Sequence, residues 1–160
     1  MDNFIKNILK KSFGIIRIDI EPKILDDMYQ FIKFIIVGLS NTVVGYIANI
    51  VTLILLKDYN VRWDYFAGNI SSFIFGVLWS YYWNSKYVFK TAKGEKRNHF
   101  VSLIKTYLSY AFTGLVLNNV FSYILVDILN VSKLIAPLIN MILGIPINFL
   151  INKLWAFNSK

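Results

Sequence analysis

The sequence predicts an all-α integral membrane protein with four transmembrane helices, built as two parallel helical hairpins and preceded by an amphipathic interfacial helix. The first observation is composition: 56% of the 160 residues are hydrophobic and 17% are aromatic, with a mean hydropathy of +0.53. A soluble domain of this size has too little interior to bury so much apolar surface. The second observation is a near-repeat, because FGVLWSYYWNSKYVF at 75–89 returns as LGIPINFLINKLWAF at 143–157.

Residues 1–30 are predicted to form an amphipathic segment on the cytoplasmic membrane surface. Their apolar side chains fall near one helical face and their lysines lie elsewhere around the helix, which is typical of an interfacial anchor. The face comprises Phe4, Ile5, Ile8, Leu9 and Phe13. A helix that docks a partner protein is the alternative. The segment lacks the continuous apolar core and the small-residue cleavage site of a signal peptide.

Residues 31–158 are predicted to form the transmembrane domain. Apolar runs of about twenty residues match the roughly 30 Å hydrocarbon thickness of a bilayer. They place the four spans at about 32–56, 65–84, 103–126 and 134–155. The aromatic residues at the ends of the second and fourth spans are expected mostly to form interfacial belts.

The distribution of Lys and Arg predicts the orientation. Fourteen of the seventeen basic residues lie in the N-terminal stretch up to Lys33, in the central segment 86–105 and in the C-terminal stretch that holds Lys153 and Lys160. The other three are Lys57, Arg62 and Lys133. This bias predicts that the protein is multi-pass in the cytoplasmic membrane with both termini cytoplasmic, so the hairpins run parallel. The same bias and anionic lipid headgroups explain the net charge of +8, and no nucleic-acid partner is predicted.

Small and polar residues recur every four positions inside the spans. The fourth span carries Ala136, Asn140, Gly144, Asn148 and Asn152, and the second carries Gly68, Ser72, Gly76, Ser80 and Asn84. Glycine and serine at this spacing allow helices to approach closely, so packing is the interpretation for each one singly. Asparagine amides avoid lipid, which predicts that they face inward and that some line a ligand path. Pro146 predicts a kink in the fourth span, either a static bend or a hinge.

The catalytic inventory predicts neither an enzyme nor a cofactor. The chain has no cysteine, and its only histidine, His99, lies in the basic central loop, where a solvated surface role is expected. No Asp or Glu lies well inside a predicted span, which also argues against a proton-coupled small multidrug exporter. An enzyme that acts within the membrane is therefore not expected.

Three segments resemble the GtrA-like family of small four-helix membrane proteins, over about residues 30–158. The opening carries Phe34, Val37, Gly38, Asn41 and Thr42, and the second-span exit carries Asn84, Lys86, Tyr87, Val88 and Phe89. The ending carries Asn148, Phe149, Asn152, Lys153, Trp155 and Phe157. Ser80 departs from the family pattern, which often has asparagine at that position in the first copy of the signature.

The resemblance implies a carrier or flippase for a polyprenyl-phosphate-linked sugar, such as a sugar on undecaprenyl phosphate, in surface polysaccharide synthesis or cell wall glycosylation. The alternative is a scaffold that recruits or regulates a polyprenyl-phosphate glycosyltransferase. Partners expected from this reading are the lipid-linked sugar, membrane lipid, such a glycosyltransferase and further copies of the chain. The predicted site that binds substrate and lipid phosphate comprises Asn41, Asn84, Lys86, Asn118, Asn148, Asn152 and Lys153.

Overall fold

The computed structural model describes residues 21–59, 64–91, 96–132 and 134–158, all of whose regular secondary structure is helical. The predicted all-α class is therefore confirmed for this part of the chain. Four helices follow one another: α1 (Pro22–Leu56), α2 (Asp64–Trp83), α3 (His99–Ile128) and α4 (Ala136–Ile151). Residues 1–20, most of the predicted interfacial segment, lie outside the described residues.

Three of the helical stretches are long and apolar enough to cross a membrane: Pro22–Tyr59, His99–Ile128 and Leu138–Ala156. α2 has 20 residues, which at 1.5 Å per residue also spans about 30 Å. The described chain thus contains three to four helices that could cross a membrane, in accord with the predicted polytopic class.

Helix boundaries differ from the predicted spans where a helix continues beyond its apolar run. α1 begins at Pro22, ten residues before the predicted span, because proline suits the first helical turn and its missing N–H is not needed there. α3 begins at His99, where the Asn98 side chain accepts a hydrogen bond from the Val101 amide, an N-cap interaction. At its other end Asn130 adopts a left-handed φ of 53°, which suits asparagine just past a helix end.

α1 and α2 pack along their length in an antiparallel register set by glycines. A Cβ atom placed on Gly45 would lie 2.8 Å from Ser72 Oγ, and one on Gly76 would lie 2.5 Å from Asn41 Oδ1. On Gly68 it would lie 2.9 Å from Asn49 Nδ2. These three glycines therefore allow the close approach that small residues at four-residue spacing predict.

Two π-helical turns, Asn84–Val88 and Asn152–Ala156, extend α2 and α4 at the same end of the bundle. Each closes with the same bond, since the Phe89 amide donates to Asn84 O at 2.8 Å and the Phe157 amide donates to Asn152 O at 2.9 Å. The Phe89 and Phe157 rings stack with centroids 4.7 Å apart. The two copies of the near-repeat thus adopt one local form and pack directly against each other.

The main hydrophobic core lies at this same end, which we call the basic end because Lys33, Lys86, Lys105 and Lys153 surround it. Its buried aromatic members are Phe34, Phe89, Phe149 and Phe157. The expectation of interfacial belts is therefore wrong for Phe89, Phe149 and Phe157, which pack inside, whereas Tyr87 and Trp155 are exposed as a belt requires. The rings turn inward because the two π-helical turns bring both exits together.

Candidate substrate-binding groove

A groove of about 440 Å³ lies between α1, α3 and α4. Its volume falls within the range of about 300–1,000 Å³ that is typical of small-molecule sites. Amide, hydroxyl and glycine positions face it among apolar side chains, and no charged side chain of the described residues lines it. Its walls are Phe34, Ile35, Gly38, Leu39, Asn41, Thr42, Tyr110, Thr113, Gly114, Asn118, Asn140, Met141, Gly144, Ile145 and Asn148.

Three glycines, one from each helix, give the groove its space. A Cβ atom placed on Gly38, Gly114 or Gly144 would meet nothing within 4 Å, apart from its own neighbours in the helix. The packing role expected for each glycine in the stripes is therefore confirmed for Gly76 but not for Gly144, although the near-repeat aligns the two. The two equivalent positions therefore have different roles. Gly76 allows α1 to pack closely against α2, and Gly144 leaves part of the groove open.

Three of the seven predicted site residues, Asn41, Asn118 and Asn148, line this groove from three different helices. Asn140 lines it as well and was not in the predicted site, although it lies on the same four-residue ridge as Asn148. Asn140 is 5% exposed, and its Nδ2 donates to Asn118 O at 3.2 Å and to Ser122 Oγ at 2.7 Å. Its Oδ1 is buried and accepts no hydrogen bond from the described part of the chain.

Asn152, another predicted site residue, does not line the groove itself, but it holds the side chain of Asn148, which does. It is 0% exposed, and its Nδ2 donates to Asn148 Oδ1 at 2.7 Å and to Asn148 O at 2.8 Å. The bond to Oδ1 orients the Asn148 amide. Within the described residues the Nδ2 group of Asn148 donates no hydrogen bond, so this donor is available at the groove.

Asn84 occupies the corresponding place in the first copy of the near-repeat. It too is 0% exposed, and its Nδ2 donates to Ser80 Oγ at 3.0 Å. Ser80 Oγ in turn lies 2.6 Å from the hydroxyl of Tyr110, a groove residue. Ser80, which departs from the family pattern, therefore connects a buried amide to the groove through Tyr110. The four-residue spacing places Asn84 beside Ser80, but it does not indicate the contact with Tyr110, which depends on how α2 and α3 pack together.

The two predicted lysines lie at the basic end, outside the groove lining. Lys153 Nζ forms an ion pair with Asp27 at 2.6 Å and lies 5.8 Å from the centre of the Phe149 ring. Lys86 is exposed and its Nζ donates to the Tyr82 hydroxyl at 3.2 Å; this hydrogen bond is the main cause of a raised Lys86 pKa. Neither ammonium group lines the groove, and that of Lys153 already has a carboxylate partner.

Arg97 is a functional candidate that the sequence did not distinguish from the other basic residues of the central segment. Its guanidinium donates to Phe89 O at 2.7 Å and to Phe157 O at 2.9 Å, and it lies 5.1 Å from the centre of the Phe157 ring. Partial burial lowers the Arg97 pKa, but an arginine remains protonated at any physiological pH. One side chain therefore ties together the ends of both π-helical turns.

Comparison with known proteins places these features in context. The family model described as "GtrA/DPMS, transmembrane domain" matches residues 33–157. A cell wall teichoic acid glycosylation protein, GtcA, of Listeria monocytogenes serovar 1/2a is 25% identical over 141 residues, covering 87% of this chain and 92% of the relative. The protein of the same name from Listeria innocua serovar 6a is 24% identical over 143 residues, with the same coverage. No solved structure matches the chain.

Proposed function

Because this chain belongs to the GtrA/DPMS transmembrane-domain family, we propose that it is a membrane carrier, or flippase, for a polyprenyl-phosphate-linked sugar used in cell wall glycosylation. The names of the Listeria relatives support the pathway class. The observation that carries the proposal is the groove, since a bundle with helices long enough to cross a membrane keeps four asparagines and three open glycines around one space. Amides in such a setting require polar partners.

The three parts of the ligand match three parts of the site. Sugar hydroxyls can exchange hydrogen bonds with the groove amides. The prenyl chain can lie against Leu39 and Met141, two exposed apolar residues at the edges of the groove on α1 and α4. The phosphate can take the place of Asp27 at Lys153, since a phosphate oxygen and a carboxylate oxygen make the same charge-assisted bond.

The proposal includes an orientation, with both termini and the basic end in the cytoplasm and the two hairpins parallel. The excess of Lys and Arg at that end supports it. The shared form of the two π-helical turns supports the parallel arrangement, because equivalent residues meet at one end of the bundle. The phosphate would then bind at the cytoplasmic boundary while the sugar occupies the interior.

A substitution that fills the groove tests the carrier function. In cells whose own copy is deleted, we expect Gly144→Leu to reach the membrane at the normal level yet reduce surface glycosylation at least about tenfold, because the new side chain occupies the sugar space. Gly144→Ala is the matched control and should retain glycosylation, since its Cβ meets no neighbour. Lectin binding to intact cells measures the product.

The scaffold alternative gives the opposite pattern. A protein that only recruits a glycosyltransferase would tolerate Gly144→Leu and would instead lose activity when the exposed lysines of the central segment, Lys90 and Lys96, are reversed to glutamate. Normal glycosylation by Gly144→Leu at normal membrane abundance would overturn the carrier proposal. Loss of activity in the charge-reversed variant alone would favour the scaffold.

A further inference from the structure

We infer that the headgroup taken into the groove is an uncharged polyhydroxyl sugar, and that Asn140 is the acceptor that selects it. The inference rests on the proposed function, and it specifies which sugars that function admits. Two independent observations carry it. One is the electrostatic character of the walls, and the other is the unequal hydrogen bonding of two amide groups, Asn140 and Asn148, which lie two turns apart on the α4 ridge.

The walls offer no counter-charge. No described residue lining the groove carries a formal charge, and the cations nearby are at the basic end, where Lys153 is already paired with Asp27. A sugar bearing a carboxylate or an ammonium group would lose its water without gaining an ionic partner, which is strongly unfavourable inside a membrane bundle. Neutral hydroxyls carry no such penalty, provided that they find hydrogen-bond partners.

The amides supply those partners with complementary roles. Both hydrogens of the Asn140 amide are used by Asn118 O and Ser122 Oγ, so its unpaired Oδ1 can only accept. The Asn148 amide has the opposite arrangement. Its Oδ1 already accepts a hydrogen bond from Asn152, so its Nδ2 remains to donate to a ligand. A hydroxyl group both donates and accepts, so a polyol can satisfy both amides at once. Where the sugar places a hydroxyl group against Asn140, an ionised carboxylate in that position can only accept and leaves Asn140 unpaired.

Binding measured with three probes tests the selectivity on the full-length protein in lipid nanodiscs. The probes are a short-chain polyprenyl phosphate, its glucose phosphodiester and its glucuronic acid phosphodiester. We expect the glucose compound to bind at least about tenfold more tightly than either of the others, the ratio that corresponds to roughly one buried hydrogen bond left unpaired. The wild-type protein alone gives this result, so it does not depend on any variant folding.

A matched pair of variants assigns the effect to Asn140. Asn140→Leu should bind the glucose compound no better than the bare polyprenyl phosphate, whose own affinity should be unchanged. Asn119→Leu is the control, since Asn119 lies on α3, bonds the Leu115 carbonyl of its own helix and does not line the groove. It should keep the wild-type preference.

The outcomes separate the two proposals. If none of the three probes binds, the carrier function itself fails. If all three bind with equal affinity, the carrier function stands and the selectivity inference is overturned. If glucose is preferred but Asn140→Leu retains the full preference, Asn140 serves only to join α3 to α4 and its role as the selecting acceptor is wrong.

Discussion

Asn84 and Asn152 donate hydrogen bonds back along their own helices, so each fixes a residue one turn earlier instead of facing the groove. The cost of leaving an amide unpaired in lipid indicated that these side chains point inward, and both are fully buried. It could not divide them into amides that position a neighbour and amides that line the groove, such as Asn118. That division depends on single hydrogen bonds about 3 Å long, which a four-residue spacing does not specify.

Arg97 gives a prediction at the residue scale. Arg97→Gln removes charge-assisted hydrogen bonds to Phe89 O and Phe157 O, and hydrogen bonds to charged groups contribute about 2 kcal/mol each at most sites. We expect the free energy of unfolding to fall by about 2 kcal/mol overall, because the site is partly exposed. Tryptophan fluorescence during denaturation in detergent micelles measures the loss.

The neighbouring Lys96 supplies the control for this experiment. Lys96 is exposed, so Lys96→Gln removes the same charge from the same segment and should leave the free energy of unfolding within about 0.5 kcal/mol of the wild-type value. Equal effects of the two substitutions would show that Arg97 contributes only net charge, not the bridge between the two turns.

At the scale of helices, hydropathy located all four elements but not their ends. Apolar runs indicate which residues contact hydrocarbon. A helix, however, ends where other groups form hydrogen bonds with its terminal backbone N–H and C=O groups. The Asn98 cap of α3 could have been recognised from the sequence, since asparagine before an apolar run is a known start signal. The π-helical turns could not, because no capping or turn residue in the sequence marks where a helix changes to this wider hydrogen-bonding pattern.

The α1–α2 interface provides a prediction at this scale. Gly45→Ala should lower the free energy of unfolding by about 1–3 kcal/mol, because the new Cβ would lie 2.8 Å from Ser72 Oγ and 3.3 Å from the Ser72 carbonyl oxygen. Gly38→Ala, on the same helix, meets no neighbour and should be neutral or stabilising by up to about 1 kcal/mol. Titration with a denaturing detergent compares the two variants, and equal destabilisation would contradict the proposed close packing.

For the whole molecule, composition and the family resemblance carried the most information. The resemblance to the GtrA-like family is confirmed by the match over residues 33–157. The orientation of the bundle across the membrane stays a prediction. It rests on the excess of basic residues at one end, which is interpreted through the usual bias of Lys and Arg toward the cytoplasmic side. The sequence did not indicate that the lysines lie outside the groove. Lys153 and Asn148 are only five residues apart, yet Asn148 lines the groove and Lys153 is paired with Asp27 at the basic end.

The absence of cysteine makes the orientation directly testable. A single cysteine at Asp58, at the end opposite the basic end, should react with a membrane-impermeant maleimide in intact cells. A cysteine at Lys90 should react only after the membrane is permeabilised, because the basic end is predicted to face the cytoplasm. The wild-type protein provides the unlabelled background, and the reverse pattern of labelling would invert the proposed topology.

The three open glycines also affect how readily such a protein could change its ligand. Because a Cβ at Gly38, Gly114 or Gly144 contacts no other helix, an alanine there takes space from the groove without meeting a neighbouring helix. A single nucleotide change converts a glycine codon to an alanine codon. Under the proposed function, the size of the headgroup that fits the groove would therefore diverge among related proteins one mutation at a time.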